Sequence, residues 1–217
     1  MQLKDINLPN QVSQIVLLVL RQWRGESLKK KDQREYTKKL IDCIAYCQVG
    51  GIALRGADES IESDNPGNFR RVVNLLAKNN TDFKEQFERR RNTKKEWLSP
   101  LMQKDMAKAI VKVVLEEIVK EIGQDKIYAV LADESTDING HELMTIVIRY
   151  ISCTSGEISE RTIGTVSVPD TSSESLYKKI VEVLKRVQLE VKVFCSQGYD
   201  GASNMSGYLS GLATRVK

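Results

Sequence analysis

The sequence predicts an α+β fold in which a helical first half precedes a mixed β-sheet. Apolar residues recur at helical spacing as far as Gly123, and the period changes directly after that glycine. Runs of strand length follow, separated by the turn signals Asn139-Gly140 and Ser155-Gly156. The 217 residues suffice for one large domain or two small ones. The expected divisions are a helical leader at residues 1–34, a basic helical region at 35–123 and a sheet-containing domain at 124–217.

The helical prediction rests on four amphipathic segments. They are residues 12–23, a helix from Tyr36 that stops at Gly50-Gly51, a helix from Phe69 to Asn79-Asn80 after the turn at residues 64–67, and a helix from Ser99-Pro100 to Gly123. Between the last two, residues 84–96 form a strongly charged segment.

Three strands, a helix and a fourth strand are predicted after Gly123. The strands are a continuous apolar run at residues 127–132, an alternating run at 143–151, a β-branched run at 158–168 and a short run at 191–195. A capping box at Thr171–Glu174 starts the helix, whose buried stripe is Leu176, Ile180, Leu184 and Val187. A right-handed crossover through it lays the fourth strand parallel to the first and beside it. Residues 205–216 begin a further helix.

The net charge of +4 is unevenly distributed. Residues 124–217 hold 10 Lys and Arg against 12 Asp and Glu, which leaves 23 against 17 for residues 1–123. A basic first half suits a polyanionic partner, and an acidic second half can concentrate carboxylates. No secretory leader or membrane-spanning run is recognised, so the four cysteines are expected to stay reduced.

Two aspartates occupy matching positions near the predicted parallel strands. Asp133 directly follows the first strand, and Asp200 follows the fourth after a glycine-containing turn. The carboxyl ends of parallel neighbours meet at one sheet edge, where two carboxylates repel unless a cation lies between them. Hard oxygen ligands favour Mg²⁺ or Mn²⁺, which support phosphodiester cleavage. From spacing alone, the alternative that each Asp only caps a strand or helix stays open.

Three segments resemble hAT superfamily DNA transposases, in the branch found in transposon-derived zinc-finger MYM-type proteins. They are Tyr-Ala-Val-Leu-Ala-Asp-Glu-Ser-Thr-Asp at 128–137, His-Glu-Leu-Met-Thr-Ile-Val-Ile-Arg-Tyr at 141–150 and Gly-Tyr-Asp-Gly-Ala-Ser-Asn-Met-Ser-Gly at 198–207. Upstream, Gly-Ile-Ala-Leu-Arg-Gly at 51–56 and Asn-Pro-Gly-Asn-Phe at 65–69 also match the helical region that precedes the nuclease fold in this branch.

The resemblance implies a ribonuclease-H-like fold with an Asp-Asp-Glu metal triad. Asp133 and Asp200 would be its first two acids, holding Mg²⁺ or Mn²⁺ to cut and transfer DNA strands. The family's glutamate lies far downstream of Asp200, so this chain is expected to be a truncated transposase that does not cut DNA alone. Asp137 is assigned to local turn hydrogen bonding. The resemblance also implies a nuclear protein with DNA as its partner, no small-molecule substrate, and homo-oligomers in the full-length family.

A second function stays open, that of a non-catalytic, domesticated protein that binds DNA or protein partners. It rests on a basic cluster able to contact phosphates, consisting of Arg89, Arg90, Arg91, Lys94 and Lys95.

Other enzyme classes and a zinc site fit the sequence poorly. A haloacid-dehalogenase-type phosphatase would need a second Asp where Ser135 stands, no phosphate-binding Gly-Lys-Ser/Thr run occurs, and the one histidine, His141, lies in a turn. Cys43 and Cys47 lack the spacing of a four-ligand zinc site and are expected to belong to a helical core.

Overall fold

A computed structural model describes residues 28–60, 63–91, 93, 96–125, 127–190 and 194–199. The predicted helix at 12–23 and the further helix at 205–216 lie outside these residues. The chain divides into two compact units, residues 2–114 and residues 115–217. Within the described residues there are five helices and four strands, so the predicted α+β class with a mixed sheet is confirmed.

The first unit is helical. Its elements are α1 (Leu28–Val49), α2 (Asn68–Asn79), α3 (Thr81–Arg90) and the first part of α4 (Pro100–Ile122), which continues into the second unit. The predicted stops are confirmed, since Gly51 and Gly123 adopt positive φ values of 64° and 83°. Helix α1 begins at Leu28 rather than at Tyr36, so it includes the charged residues that precede the predicted helix.

Helix α3 was not predicted. It includes residues 84–90 of the segment that the sequence analysis described only as strongly charged. Asn80 caps it, with the side-chain Oδ1 accepting a hydrogen bond of 2.8 Å from the Phe83 backbone N–H. Phe83 and Phe87 are four residues apart and both are buried. These two aromatic residues form the buried face of a ten-residue helix whose other positions are polar or charged.

An aromatic stack joins α1 to α3. The Tyr36 ring stacks on Phe83 with centroids 5.3 Å apart, and Phe83 stacks on Phe87 at 6.0 Å. The Tyr36 hydroxyl donates a hydrogen bond of 2.9 Å to the Glu96 carbonyl oxygen. Burial raises the pKa of Tyr36 far above its usual value, so this hydroxyl remains a donor at neutral pH.

Between α1 and α2, residues 50–60 and 63–67 form no helix or strand, and hydrogen bonds connect residues 53 and 54 to the start of α2. The Phe69 N–H donates to the Leu54 carbonyl at 3.0 Å, and the Asn68 side chain donates to the Ala53 carbonyl at 2.7 Å. Gly56 lies directly against the backbone of Asn65 and Gly67. The two halves of the connection therefore cross at a point where glycine is required.

The second unit contains a four-stranded sheet in the order β3-β2-β1-β4. The strands are β1 (Tyr128–Thr136), β2 (Glu142–Ile151), β3 (Ile158–Ser167) and β4 (Phe194–Tyr199). Strands β1, β2 and β3 form the predicted antiparallel meander, and β4 is parallel to β1 and beside it, as predicted.

One face of this sheet is the core of the unit. Met144, Ile146 and Ile148 on β2 are fully buried. Helix α5 (Ser173–Arg186) packs against β3. Gly164 on β3 lies close to the Val183 side chain of this helix. The predicted stripe on α5 is confirmed, since all four of its residues are buried: Leu176, Ile180, Leu184 and Val187.

Three local predictions in this unit are wrong. The cap of α5 is Ser172, whose Oγ accepts from the Ser175 N–H, so the capping box at Thr171–Glu174 is one residue out of register. Strand β1 continues to Thr136, because the polar end of a hairpin can pair outside the core. Strand β4 extends through Tyr199, so the turn predicted between Cys195 and Asp200 is extended chain instead. Val191 and Val193, assigned to the fourth strand, lie outside the described residues.

Candidate metal centre

Asp133 lies inside β1 rather than after it. Its Cα partner on β2 is Thr145, and its side chain is exposed. The Asp137 N–H donates to the His141 carbonyl at 2.9 Å, which makes these residues a hydrogen-bonded pair. Because such pairs alternate along an antiparallel ladder, Asp133 and Thr145 also form one, with Cα atoms about 5.5 Å apart.

Asp200 lies outside the described residues. Strand β4 ends at Tyr199, whose Cα partner on β1 is Ala132. Asp133 comes directly after Ala132 in sequence, and Asp200 comes directly after Tyr199. The parallel ladder is therefore in register up to the residue that precedes each aspartate.

The face of the sheet that carries Asp133 is the less buried one. Side chains alternate along β1, with Val130 and Ala132 buried and Leu131 and Asp133 on the opposite face. Across the strands, Asp133 pairs with Thr145 and Thr145 pairs with Thr165, so the three lie in one row. The two threonine Oγ1 atoms are 3.4 Å apart.

Asp137 has the local role that its position predicted. Its Oδ1 accepts hydrogen bonds of 2.8 Å from the backbone N–H groups of Asn139 and His141. Its Oδ2 lies 3.2 Å from His141 Nδ1. Hydrogen bonds to the charged form, chiefly from the His141 backbone, lower the pKa of Asp137 below its usual value. The Asp137 carboxylate therefore stabilises the β1–β2 turn through these hydrogen bonds.

The predicted basic cluster separates into residues with different environments. The Arg90 side chain is only 14% exposed, pairs with Asp32 at 3.0 Å and lies 4.6 Å from the Tyr36 ring centroid. Arg89 and Arg91 are 64% and 44% exposed. Lys94 and Lys95 lie outside the described residues. Arg90 therefore supports the packing of α1 on α3, and Arg89 and Arg91 face solvent.

Cys43 and Cys47 belong to the core of α1, as predicted. Both are buried, and desolvation raises the pKa of Cys43 to about 12 and also raises that of Cys47. A thiolate ligand is correspondingly unfavourable at either position. Among the residues that the structure describes, no three His, Cys, Asp or Glu side chains are grouped to hold a metal ion.

Two structural features, one in each unit, were missed from sequence. One is the row of hydroxyls beside Asp133, which the alternation of β2 and β3 could have revealed once the hairpin register was fixed. The other is the burial of Arg90 against Tyr36, for which the sequence contains no short-range signal because the two residues are far apart in the chain.

The described helices include none that is long and apolar enough to cross a membrane.

Comparison with known proteins places the chain in a family. Residues 6–211 match the family model DUF4371, described as the ZMYM1/FAM200 RNase-like domain. The human protein named "52 kDa repressor of the inhibitor of the protein kinase" is 23% identical over 195 residues, and the mouse protein of that name is 22% identical. Each alignment covers 88% of this chain but only 25% of the relative, so the chain spans about a quarter of their length. Because the family model matches most of the chain, this protein belongs to the ZMYM1/FAM200 RNase-like domain family, which confirms its resemblance to the transposon-derived branch of the hAT superfamily.

Proposed function

We propose that this transposase-derived domain binds a divalent cation, Mg²⁺ or Mn²⁺, through Asp133 and Asp200. The observation that carries the proposal is the parallel register of β1 and β4, in which Ala132 pairs with Tyr199 directly before the two aspartates. Adjacent strands lie about 4.8 Å apart, a separation that two carboxylates sharing one cation can bridge.

The alternation of side chains also favours a shared site. Leu131 pairs with Gly198, and paired positions of neighbouring strands face the same side of a sheet. Two residues further along each strand are Asp133 and Asp200. If the ladder continues by one more residue, both carboxylates face the less buried side, where Asp133 is open to solvent.

The donor set fits a hard divalent cation. Carboxylate oxygens suit Mg²⁺ and Mn²⁺, and the exposed Asp133 leaves room for the water ligands that Mg²⁺ retains. When bound, such a cation supplies an activated water and a stabilised leaving oxygen for phosphodiester cleavage. The two aspartates would position it on the sheet.

Isothermal titration of Mn²⁺ tests the site. Asp133→Asn and Asp200→Asn are each expected to weaken binding by roughly 100-fold or more, because each removes a charged ligand at nearly constant shape. Asp137→Asn is the matched control, since its amide oxygen can still accept the turn hydrogen bonds that Asp137 Oδ1 accepts. Equal affinity in all four proteins would contradict the proposal.

A second function, the binding of DNA by a domesticated regulatory protein, is favoured by the exposure of Arg89 and Arg91 at the end of α3. Like-charged side chains that remain open to solvent can contact phosphates without reading sequence. The relatives are named as repressors of a protein-kinase inhibitor, which is a regulatory rather than a nucleolytic description. Nuclear location and self-association in a longer protein are parts of this proposal.

Salt-dependent binding to duplex DNA tests this second function. Removing Arg89 and Arg91 as Arg89→Gln/Arg91→Gln should lower affinity and reduce the slope of log K against log salt by about 2, because each lost phosphate contact contributes about 0.9. Lys178→Gln/Lys179→Gln removes the same charge from α5 and should leave the slope almost unchanged. An equal slope change in both double variants would show that only net charge matters and would contradict a binding surface on α3.

A further inference from the structure

The end of the sheet nearest the β2–β3 turn carries exposed apolar side chains. Ile151 on β2 and Ile158 on β3 are directly paired, and they are 64% and 72% exposed. Ile127, which directly precedes β1, is 56% exposed, and the antiparallel register of β1 and β2 continued by two residues brings it opposite Ile151. Single exposed apolar residues are common on protein surfaces, whereas contiguous ones mark interaction sites. These three residues are called the isoleucine patch.

The isoleucine patch belongs to the less buried face of the sheet. Because side chains alternate along a strand, Ile151 faces the same side as Val147, whose partner on β1 is Leu131. Val147 and Leu131 are half-buried, so the apolar surface continues from the patch along both strands. Helix α5 packs on the opposite, buried face, where Gly164 lies close to Val183. The patch therefore lies on the face that α5 leaves open.

An ion pair adjoins the patch on the same face. Arg149 on β2 and Glu160 on β3 are directly paired in the ladder, and their side chains form a salt bridge. Each lies two residues along its strand from Ile151 or Ile158, so all four side chains face the same side. The side chains of Arg149 and Glu160 are 54% and 47% exposed. The face thus presents one cation and one anion beside an apolar surface.

We propose that this face binds the same face of a second copy of the chain. In a twofold-symmetric interface each surface meets itself, so every contact between two different residues occurs twice. A face with charges of one sign would repel its own copy, but Arg149 of one copy can meet Glu160 of the other, and the reverse. The isoleucine patches then exclude water beside the two ion pairs. Charge complementarity of the face with itself is the reason for choosing a second copy as the partner.

This inference deepens the self-association that belongs to the second proposed function, since it names the surface and the partner. It uses neither the two aspartates of the metal site nor the two exposed arginines of α3. Association is therefore measured without metal and without DNA, and its failure would leave the Mn²⁺ titration and the salt-dependence test unaffected.

Sedimentation equilibrium of the whole chain over a series of concentrations tests the surface. The wild type is expected to form a reversible dimer with a micromolar dissociation constant, at the weak end of specific interfaces. Ile151→Thr/Ile158→Thr should weaken it roughly 100-fold or more, because four isoleucine side chains are removed from each dimer. Threonine favours strands, so the fold should be retained, which circular dichroism can verify. Leu101→Gln is the matched control, since Leu101 is as exposed as Ile158 but lies on α4.

Charge reversal tests whether the two faces meet directly. Glu160→Arg leaves two cations on the face, and Arg149→Glu leaves two anions. Each variant alone should remain monomeric, because its face repels the same face of its copy. An equimolar mixture of the two variants should form a heterodimer, because each face then meets one of opposite charge. A change in folding or in net charge alone does not predict this recovery.

Three results would overturn the inference. The wild type could stay monomeric throughout the micromolar range. Leu101→Gln could weaken the dimer as much as Ile151→Thr/Ile158→Thr does, which would make the loss a general effect of removing apolar surface. The mixture of Glu160→Arg with Arg149→Glu could stay monomeric, which would mean that the ion pair does not lie at the contact.

Discussion

Replacing Phe83 with alanine is expected to lower the free energy of unfolding by about 4 kcal/mol, the usual cost of removing a fully buried phenylalanine. Phe83 is completely buried and lies between the rings of Tyr36 and Phe87. Its loss leaves a cavity at the contact between α1 and α3 and also removes two aromatic contacts. Denaturation followed by circular dichroism measures the change.

Leu75→Ala on α2 is the matched control for this prediction. Leu75 is 60% exposed, so its truncation should cost within about 0.5 kcal/mol. A Phe83→Ala cost as small as that of Leu75→Ala would mean that the aromatic stack does not hold α1 and α3 together.

Replacing Gly56 with alanine is expected to lower the free energy of unfolding by about 3 kcal/mol. A Cβ atom at this position would lie 2.1 Å from the Asn65 carbonyl oxygen and 2.6 Å from the Gly67 nitrogen. Both are backbone atoms, so they cannot move aside as the end of a flexible side chain can. The crossing of the two loop halves must open, with loss of the Phe69 to Leu54 hydrogen bond. Chemical denaturation again measures the change.

Gly51→Ala separates crowding from backbone strain. Gly51 has a positive φ of 64°, but nothing lies within 4 Å of a Cβ placed there. Alanine should therefore cost only about 1 kcal/mol, from the left-handed conformation alone. If Gly56→Ala is no more costly than Gly51→Ala, the close crossing at Gly56 does not determine the conformation of the loop.

The order of elements could be predicted because each one has a local signal. Helical and alternating periods, together with glycines at Gly51 and Gly123, fixed most boundaries before any tertiary contact was considered. The parallel placement of β4 beside β1 followed from the handedness of crossovers. These rules depend on short stretches of chain, which is why they succeeded.

The incorrect predictions concern residues whose secondary structure or burial depends on contacts with residues far away in the sequence. Asp133 was placed after its strand because its neighbours are polar, but pairing with β2 carries β1 on to Thr136. Helix α3 was not predicted because most of its residues are charged, and its buried face consists of two phenylalanines alone. Arg90 looked like a phosphate contact, yet Asp32 and Tyr36 engage it in the fold. Sequence reasoning from composition cannot distinguish a solvent-facing arginine from a packed one.

For the candidate site, the sequence predicted the two acids, and the structure supplies the register that relates their strands. Asp133 lies on a described strand, and Asp200 directly follows one. The motif at residues 198–207 was recognised through family resemblance. The hydroxyl row of Thr145 and Thr165 appeared only when the hairpin pairing was known, because a one-residue change of register would move it to the other face.

The position of a bound cation tests the metal site most directly. Crystals of the chain soaked in Mn²⁺ are predicted to show an anomalous-density peak within roughly 2.2 Å of a carboxylate oxygen of both Asp133 and Asp200. The peak should be absent from crystals of Asp133→Asn grown and soaked in the same way. Ordered density for both aspartates with no peak between them, at a Mn²⁺ concentration that saturates the titration, would contradict the account.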